Sequence, residues 1–136
     1  MSAYVNEKEV TTTGIATSLV TVFELTGAFN ADIIHLYIKN NDASVAITDF
    51  TLDIQAEKNG AYVTCKNATW TTADGNVLFA SVDIDTLAAN TAAYVKLKLD
   101  GVYGFRLQCK CGSTITSVTV RALYKGLAHT QGLPTV

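Results

Sequence analysis

Over residues 33–124 the chain alternates apolar and polar residues in short runs broken by Gly, Asn and Asp, with no helical period between them. The clearest runs are Ile34-His35-Leu36-Tyr37-Ile38-Lys39, Phe50-Thr51-Leu52-Asp53-Ile54-Gln55, Val95-Lys96-Leu97-Lys98-Leu99-Asp100 and Phe105-Arg106-Leu107-Gln108-Cys109-Lys110. A period of two places successive side chains on opposite faces of a strand, so each run is a strand with one dry face and one wet face. Several such strands at close spacing predict an all-β fold, an antiparallel β-sandwich of about eight strands with jelly-roll or Greek-key connections.

The expected strands cover residues 19–25, 33–39, 47–56, 61–65, 77–84, 93–99, 103–110 and 115–124. Lys58-Asn59-Gly60 is a hairpin signal, and Asp100-Gly101-Val102 predicts a second hairpin. Asn40-Asn41-Asp42 reads as a turn whose side chains bond their own backbone. Residues 85–90 are expected to form a helical turn or a crossover. In the third strand Phe50, Leu52, Ile54 and Ala56 are expected inward, with Asp49, Thr51, Asp53 and Gln55 outward. Tyr103, Phe105, Leu107 and Cys109 form one inward row, and Val118, Val120, Ala122 and Tyr124 another. The sandwich is thus assigned to residues 18–125. Residues 1–17 are polar and rich in Thr, with Gly14 breaking any period, and read as an N-terminal arm. Residues 126–136 hold two Gly and the chain's single Pro and read as a C-terminal tail or arm.

Composition narrows the function more by exclusion than by assertion. At 136 residues the chain is long enough to bury a core without disulfide or metal staples. Charged residues make up only 16 % while hydrophobic ones reach 49 %, a weakly charged surface that is easily covered by a neighbour. A net charge of −2 with dispersed Lys and Arg excludes the clustered basic patch that phosphates require, so no nucleic acid partner is expected. No run approaches the roughly 20 apolar residues of a spanning helix, and residues 1–9 lack a basic and apolar leader, so synthesis in a cytosol and no membrane partner are expected.

Cys65, Cys109 and Cys111 are an odd set, and Cys109 and Cys111 sit two apart on one strand with parallel side chains, which does not close a normal disulfide. With only His35 and His129 to add, no metal site and no cofactor are expected, and the thiols read as core residues. His35 lies in an outward row, and His129 lies in the tail. Asp49 and Asp53 are four apart on one face, about 13 Å, beyond the ~5 to 9.5 Å of a glycosidase pair. Asp83 and Asp85, with Asp74 or Asp100, are acids that read as a solvated strand end more than as a Ca²⁺ site. No catalytic residues are assigned, and the chain is expected not to be an enzyme.

One segment carries a recognition chemistry. Residues 66–76 are irregular and contain the single Trp; there Trp70 offers an indole to stack on a sugar face, with Asn67, Asp74 and Asn76 to bond hydroxyls. This makes a carbohydrate-binding module the alternative function and a surface glycan the alternative partner. Against it stands a Trp70 folded back to plug one end of the sandwich. The sequon Asn67-Ala68-Thr69 matters only in a secretory pathway.

The run from Thr86 to Cys109, Thr-Leu-Ala-Ala-Asn-Thr-Ala-Ala-Tyr-Val-Lys-Leu-Lys-Leu-Asp-Gly-Val-Tyr-Gly-Phe-Arg-Leu-Gln-Cys, leads into a strand rich in Thr and Val. In cadence and small-residue turns it resembles the small jelly-roll accessory proteins of tailed-phage virions, which decorate or cement capsids or build necks and tails. The resemblance implies a non-enzymatic structural protein, assembled in the bacterial host cytoplasm, that binds itself and other virion proteins on a symmetric lattice through arms and sheet edges.

Overall fold

The computed structural model describes residues 5–29, 32–64, 86–99 and 101–125, which form eight strands in two four-stranded antiparallel sheets. In chain order they are β1 (Val5–Thr13), β2 (Val20–Phe29), β3 (Asp32–Asn40), β4 (Ile47–Gln55), β5 (Tyr62–Thr64), β6 (Ala92–Leu99), β7 (Val102–Cys111) and β8 (Ser117–Lys125). The first sheet has the order β1-β8-β3-β6 and the second β2-β7-β4-β5. Among the described strands only β4 and β5 are both consecutive and paired; every other connection passes from one sheet to the other. That interleaving is the strand order of a jelly roll, one of the two connection types that the alternating runs left open.

The inner faces meet over one core. Ile34, Leu36, Ile38, Leu97, Leu99, Val118, Val120 and Ala122 come from the first sheet, and Phe23, Phe50, Leu52, Phe105, Leu107 and Cys109 from the second, all with almost no exposure. Phe23 and Phe105 pack with ring centroids 5.9 Å apart, inside the range of favourable aromatic pairs. In β2, Val22 and Phe23 are neighbours yet both buried, because the register with β7 slips between Thr21 and Phe23 and Val22 is the extra residue of a bulge. Gly104 of β7 lies against β2 so closely that a Cβ there would stand 2.6 Å from Thr26 Cγ2 and 2.9 Å from the Leu25 carbonyl oxygen. Only glycine fits that approach.

Three expectations change. The expected hairpin at Asp100-Gly101-Val102 is instead a crossing: β6 pairs with β3 in the first sheet and β7 with β2 and β4 in the second. Gly101, at φ 74°, makes a tight turn there, but a turn signal does not say whether the strands it joins will pair. Second, the segment expected as an arm contributes β1, in unbroken antiparallel register with β8 from Val5↔Lys125 to Thr13↔Ser117. Its inward row is Lys8, Val10 and Thr12, and one apolar residue in three leaves no visible alternation. The strand count matches the expectation but the set does not, since β1 was not foreseen and residues 77–84 lie outside the described residues. Third, Asp53 and Gln55 of β4 point away from the core as expected but are buried there, whereas Ala56 is exposed.

Polar clamps bind the two sheets at one end. Asn40, fully buried, donates through Nδ2 to the carbonyl of Val45 at 2.8 Å and accepts from the Asp42 N–H at 3.0 Å. Asp42 accepts from the backbone N–H groups of Ser44, Val45 and Thr116 and from the Thr116 hydroxyl at 2.8 to 3.0 Å. Those donors hold its carboxyl far below the usual carboxylate range. Asn41 Nδ2 donates to the hydroxyls of Ser117 and Thr119, each at 3.0 Å, and the connection after β3 is thereby tied to β8. On the expected helical turn or crossover, Leu87 makes a bridge with Ile47, exchanging backbone bonds of 2.8 and 2.9 Å.

Candidate functional site

The residues of the expected glycan site, Asn67, Trp70, Asp74 and Asn76, lie outside the described residues, as do Cys65, Asp83, Asp85, Asp100, His129 and the tail. The described chemistry-bearing residues do not converge. Asp49 is exposed and Asp53 buried, and among the described residues no three or more His, Cys, Asp or Glu come together as a metal site. Cys109 and Cys111 are buried free thiols. Burial, and then the neighbouring Cys111, pushes the Cys109 thiol up to about 12; burial and the charge of Asp42 raise that of Cys111. Thiols held protonated in this way are poor nucleophiles. Among the described residues no helix is long and apolar enough to cross a membrane.

What the described residues do offer is two outer sheet faces of different character. On the second sheet, register aligns Glu24, Arg106 and Asp53 across β2, β7 and β4. Arg106 Nε donates to Asp53 Oδ2 at 2.7 Å, and the guanidinium lies 4.2 Å from the ring of Tyr62. Tyr62 in turn donates a short hydrogen bond to Glu24. Burial, then that bond, pushes the Tyr62 hydroxyl up to about 12, so it stays a donor at any working pH. Asp53 is only 2 % exposed; among the described residues Asp53 Oδ1 and the neighbouring Thr51 Oγ1 have no hydrogen-bond partner, which a buried atom bears at a cost of about 1–3 kcal/mol each. The charges of this face are turned onto one another.

On the first sheet, rows run straight across all four strands. One row is Glu9, Arg121, Tyr37 and Tyr94; the next is Glu7, Leu123, His35 and Lys96. Tyr37 and Tyr94 pack with centroids 5.1 Å apart, and the Arg121 guanidinium sits 4.8 Å from the Tyr37 ring, with Glu7 at 3.5 Å from its Nε. Tyr94 is 66 % exposed, Ile33 45 % and Leu123 39 %, so this face carries three of the five exposed large hydrophobics among the described residues. Scattered exposed apolar residues mean little, but three on one sheet face, with acids on one edge strand and Lys96 on the other, form an interaction surface in outline. His35 points outward as expected, in the middle of that face. The rows were legible as outward positions on β3 and β8; their alignment with β1 was not.

No protein-family model matches the chain, and no curated protein matches it by sequence. Solved structures do match. The SPBc2 prophage-derived protein YomS is similar over 93 % of this chain and 98 % of its own, with a TM-score of 0.52 and 14 % identity. A chain of the acid-stable capsid of Helicobacter pylori bacteriophage KHP30 is similar over 93 % of this chain and 90 % of its own, with a TM-score of 0.44 and 8 % identity. The CBM22-1–GH10 modules of Clostridium thermocellum xylanase 10B follow, over 90 % of this chain and 24 % of theirs, with a TM-score of 0.41 and 8 % identity. At 14 % identity the first likeness is one of fold: this chain shares its jelly-roll sandwich, nearly end to end, with a prophage-derived protein.

Proposed function

We propose that the chain is a non-enzymatic structural protein of a phage virion, an accessory or decoration component that binds a symmetric protein lattice. The observation that supports this reading is the correspondence in fold with the prophage-derived YomS, which extends over 93 % of this chain and 98 % of that one. The surface agrees with it. Few charges, buried reduced thiols and an outer face with exposed Tyr94, Ile33 and Leu123 suit a protein that spends its life against other proteins. Its partners on this reading are copies of itself and other virion proteins, and its place is the particle, reached by assembly in the host cytoplasm.

The test is sedimentation of material from the native source, with the protein detected across the gradient by mass spectrometry. Recovery in particle fractions, resistant to a high-salt wash, is the expected result. Recovery only as a small free species overturns the reading. Truncation is a poor substitute at the N-terminus, because removing residues 1–15 would delete strand β1 and the buried Ile15. Removing residues 126–136 is the usable truncation, with loss of particle attachment and an unchanged melt as the outcome expected of an attachment arm.

A further inference from the structure

We propose that the outer face of the first sheet is a two-fold interface with a second copy of this chain, in which the acidic edge strand of each copy lies over the basic edge strand of the other. The proposal stands on the face itself and does not depend on a virion role. Along one edge, β1 presents Glu7 and Glu9 outward, both exposed; along the other, β6 presents Tyr94 and Lys96, also exposed. Between the edges, β8 and β3 place Leu123 and Ile33 on the same face.

Symmetry selects the geometry. Two two-fold axes keep the strands of both copies aligned, the common arrangement of sandwiches, one parallel to the strands and one perpendicular to them, and both are isologous. The perpendicular axis sets β1 on β1, so Glu7 and Glu9 of one copy meet those of the other. The parallel axis reverses the order of strands while keeping each row level. β1 then lies over β6 and β8 over β3, Glu7 opposes Lys96 of the second copy at both ends of the interface, and Glu9 opposes Tyr94. Leu123 falls over the β3 side chains of the second copy, which removes its exposed methyl groups from water. Like charges cost and unlike charges help at such contacts, so only the parallel axis uses this surface.

The size of the face sets the strength. Four strands at strand spacing are about 19 Å wide and eight residues are about 27 Å long, so each copy covers about 500 Å². Two copies bury about 1,000 Å² together, the lower limit of a specific interface, and the pairing should therefore be concentration-dependent in the micromolar range.

The experiment is sedimentation velocity of the full chain from about 1 to about 100 μM, a range that brackets a dissociation constant of this order. A monomer–dimer equilibrium is expected. The variants Glu7→Lys/Glu9→Lys and Lys96→Glu should each raise the dissociation constant about tenfold or more, because each puts like charges at both ends of the pair. Mixed in equal amounts, the two variants should pair as well as the original chain, since both ends of that heterodimer again join a base to an acid. Leu123→Glu should weaken pairing in every combination. All these positions are exposed, so unchanged melting curves check that the fold is kept. A chain that stays monomeric at the highest concentration overturns the proposal, as does a dimer indifferent to the charge reversals. Closed rings or filaments overturn it as well, because they would mean that β1 pairs edge to edge with β6.

Discussion

The two sheets of this sandwich treat water in opposite ways. In the second sheet the edge strands are blunted: β2 carries two register shifts and β5 is only three residues long. Its outer charges are paired on the face itself, Asp53 with Arg106 and Glu24 with the Tyr62 hydroxyl. In the first sheet β1 runs nine residues and β6 eight, each in continuous register with its neighbour, and Tyr94, Ile33 and Leu123 stand in solvent. Natural sheets protect edges that have no partner, and the long regular edges beside an exposed apolar face lie on the side that the proposed dimer uses. Among the described residues the outer charges of the second sheet are turned onto one another, and the outer face of the first is left open.

Substitutions can break this contrast or sharpen it. The largest effect should come from Asp42→Ala, which acts on both sheets at once. It strips the acceptor from three backbone N–H groups in the connections that join β3 to β4 and lead into β8, and it should lower the melting temperature more than any outer-face change. Its pH signature follows from the lowered carboxyl. Stability from a depressed group is fully present above its unfolded value, here 3.8, and is lost as pH falls through the lower folded value. Acid unfolding below about pH 4 should therefore be less steep in Asp42→Asn than in the original chain, measured by thermal melts between about pH 2 and pH 6.

Arg106→Ala comes next. It leaves the buried Asp53 without its cation and takes the stacking partner from Tyr62, a loss of about 3 kcal/mol in denaturant unfolding. Gly104→Ala should cost about 1–3 kcal/mol, because the added methyl group meets the Leu25 carbonyl. On the open sheet the matching change, Arg121→Ala, should cost no more than about 1 kcal/mol, because its bond to Glu7 is exposed and its stacking on Tyr37 is partly so. Equal losses for Arg106→Ala and Arg121→Ala would erase the distinction drawn between the faces.

Much of the second sheet was legible in sequence, and its buried ion pair shows where legibility stopped. Arg106, Gln108 and Lys110 point outward from β7 as the alternation required. Asp53 and Gln55 also point away from the core, yet they are buried, because burial of an outer position depends on what lies across it. Tyr62, nine residues from Asp53, arrives through the hairpin that Lys58-Asn59-Gly60 signalled, but Arg106 comes from a strand 53 residues away, and no local pattern announces it. β1 was hidden for a related reason. Lys8 lies on its inner row, with its ammonium over the Phe23 ring and a hydrogen bond to the Glu24 carbonyl, so a charged residue fills a position where an apolar one would have revealed the strand. The open face was half legible: His35 was read as outward, and the same alternation carries Tyr37 and Leu123, but the two rows gained their acidic ends only when β1 was laid beside β8.

By itself the sequence determined that this chain is built of strands, which residues of most strands face the core, and where several of the turns lie. Those properties are local: the period of two, the φ preferences of Gly101 and Asn59, and the apolar rows of β3, β4, β7 and β8 need no knowledge of a partner. Beyond the β4–β5 hairpin, only the tertiary structure decided which strands pair, and hence that the turn at Gly101 crosses between sheets, that β1 supplies an acidic edge, and that the two outer faces differ. Backbone hydrogen bonds are the same for every residue, so a strand's neighbour is chosen by the packing of the whole sandwich rather than by the strand's own residues.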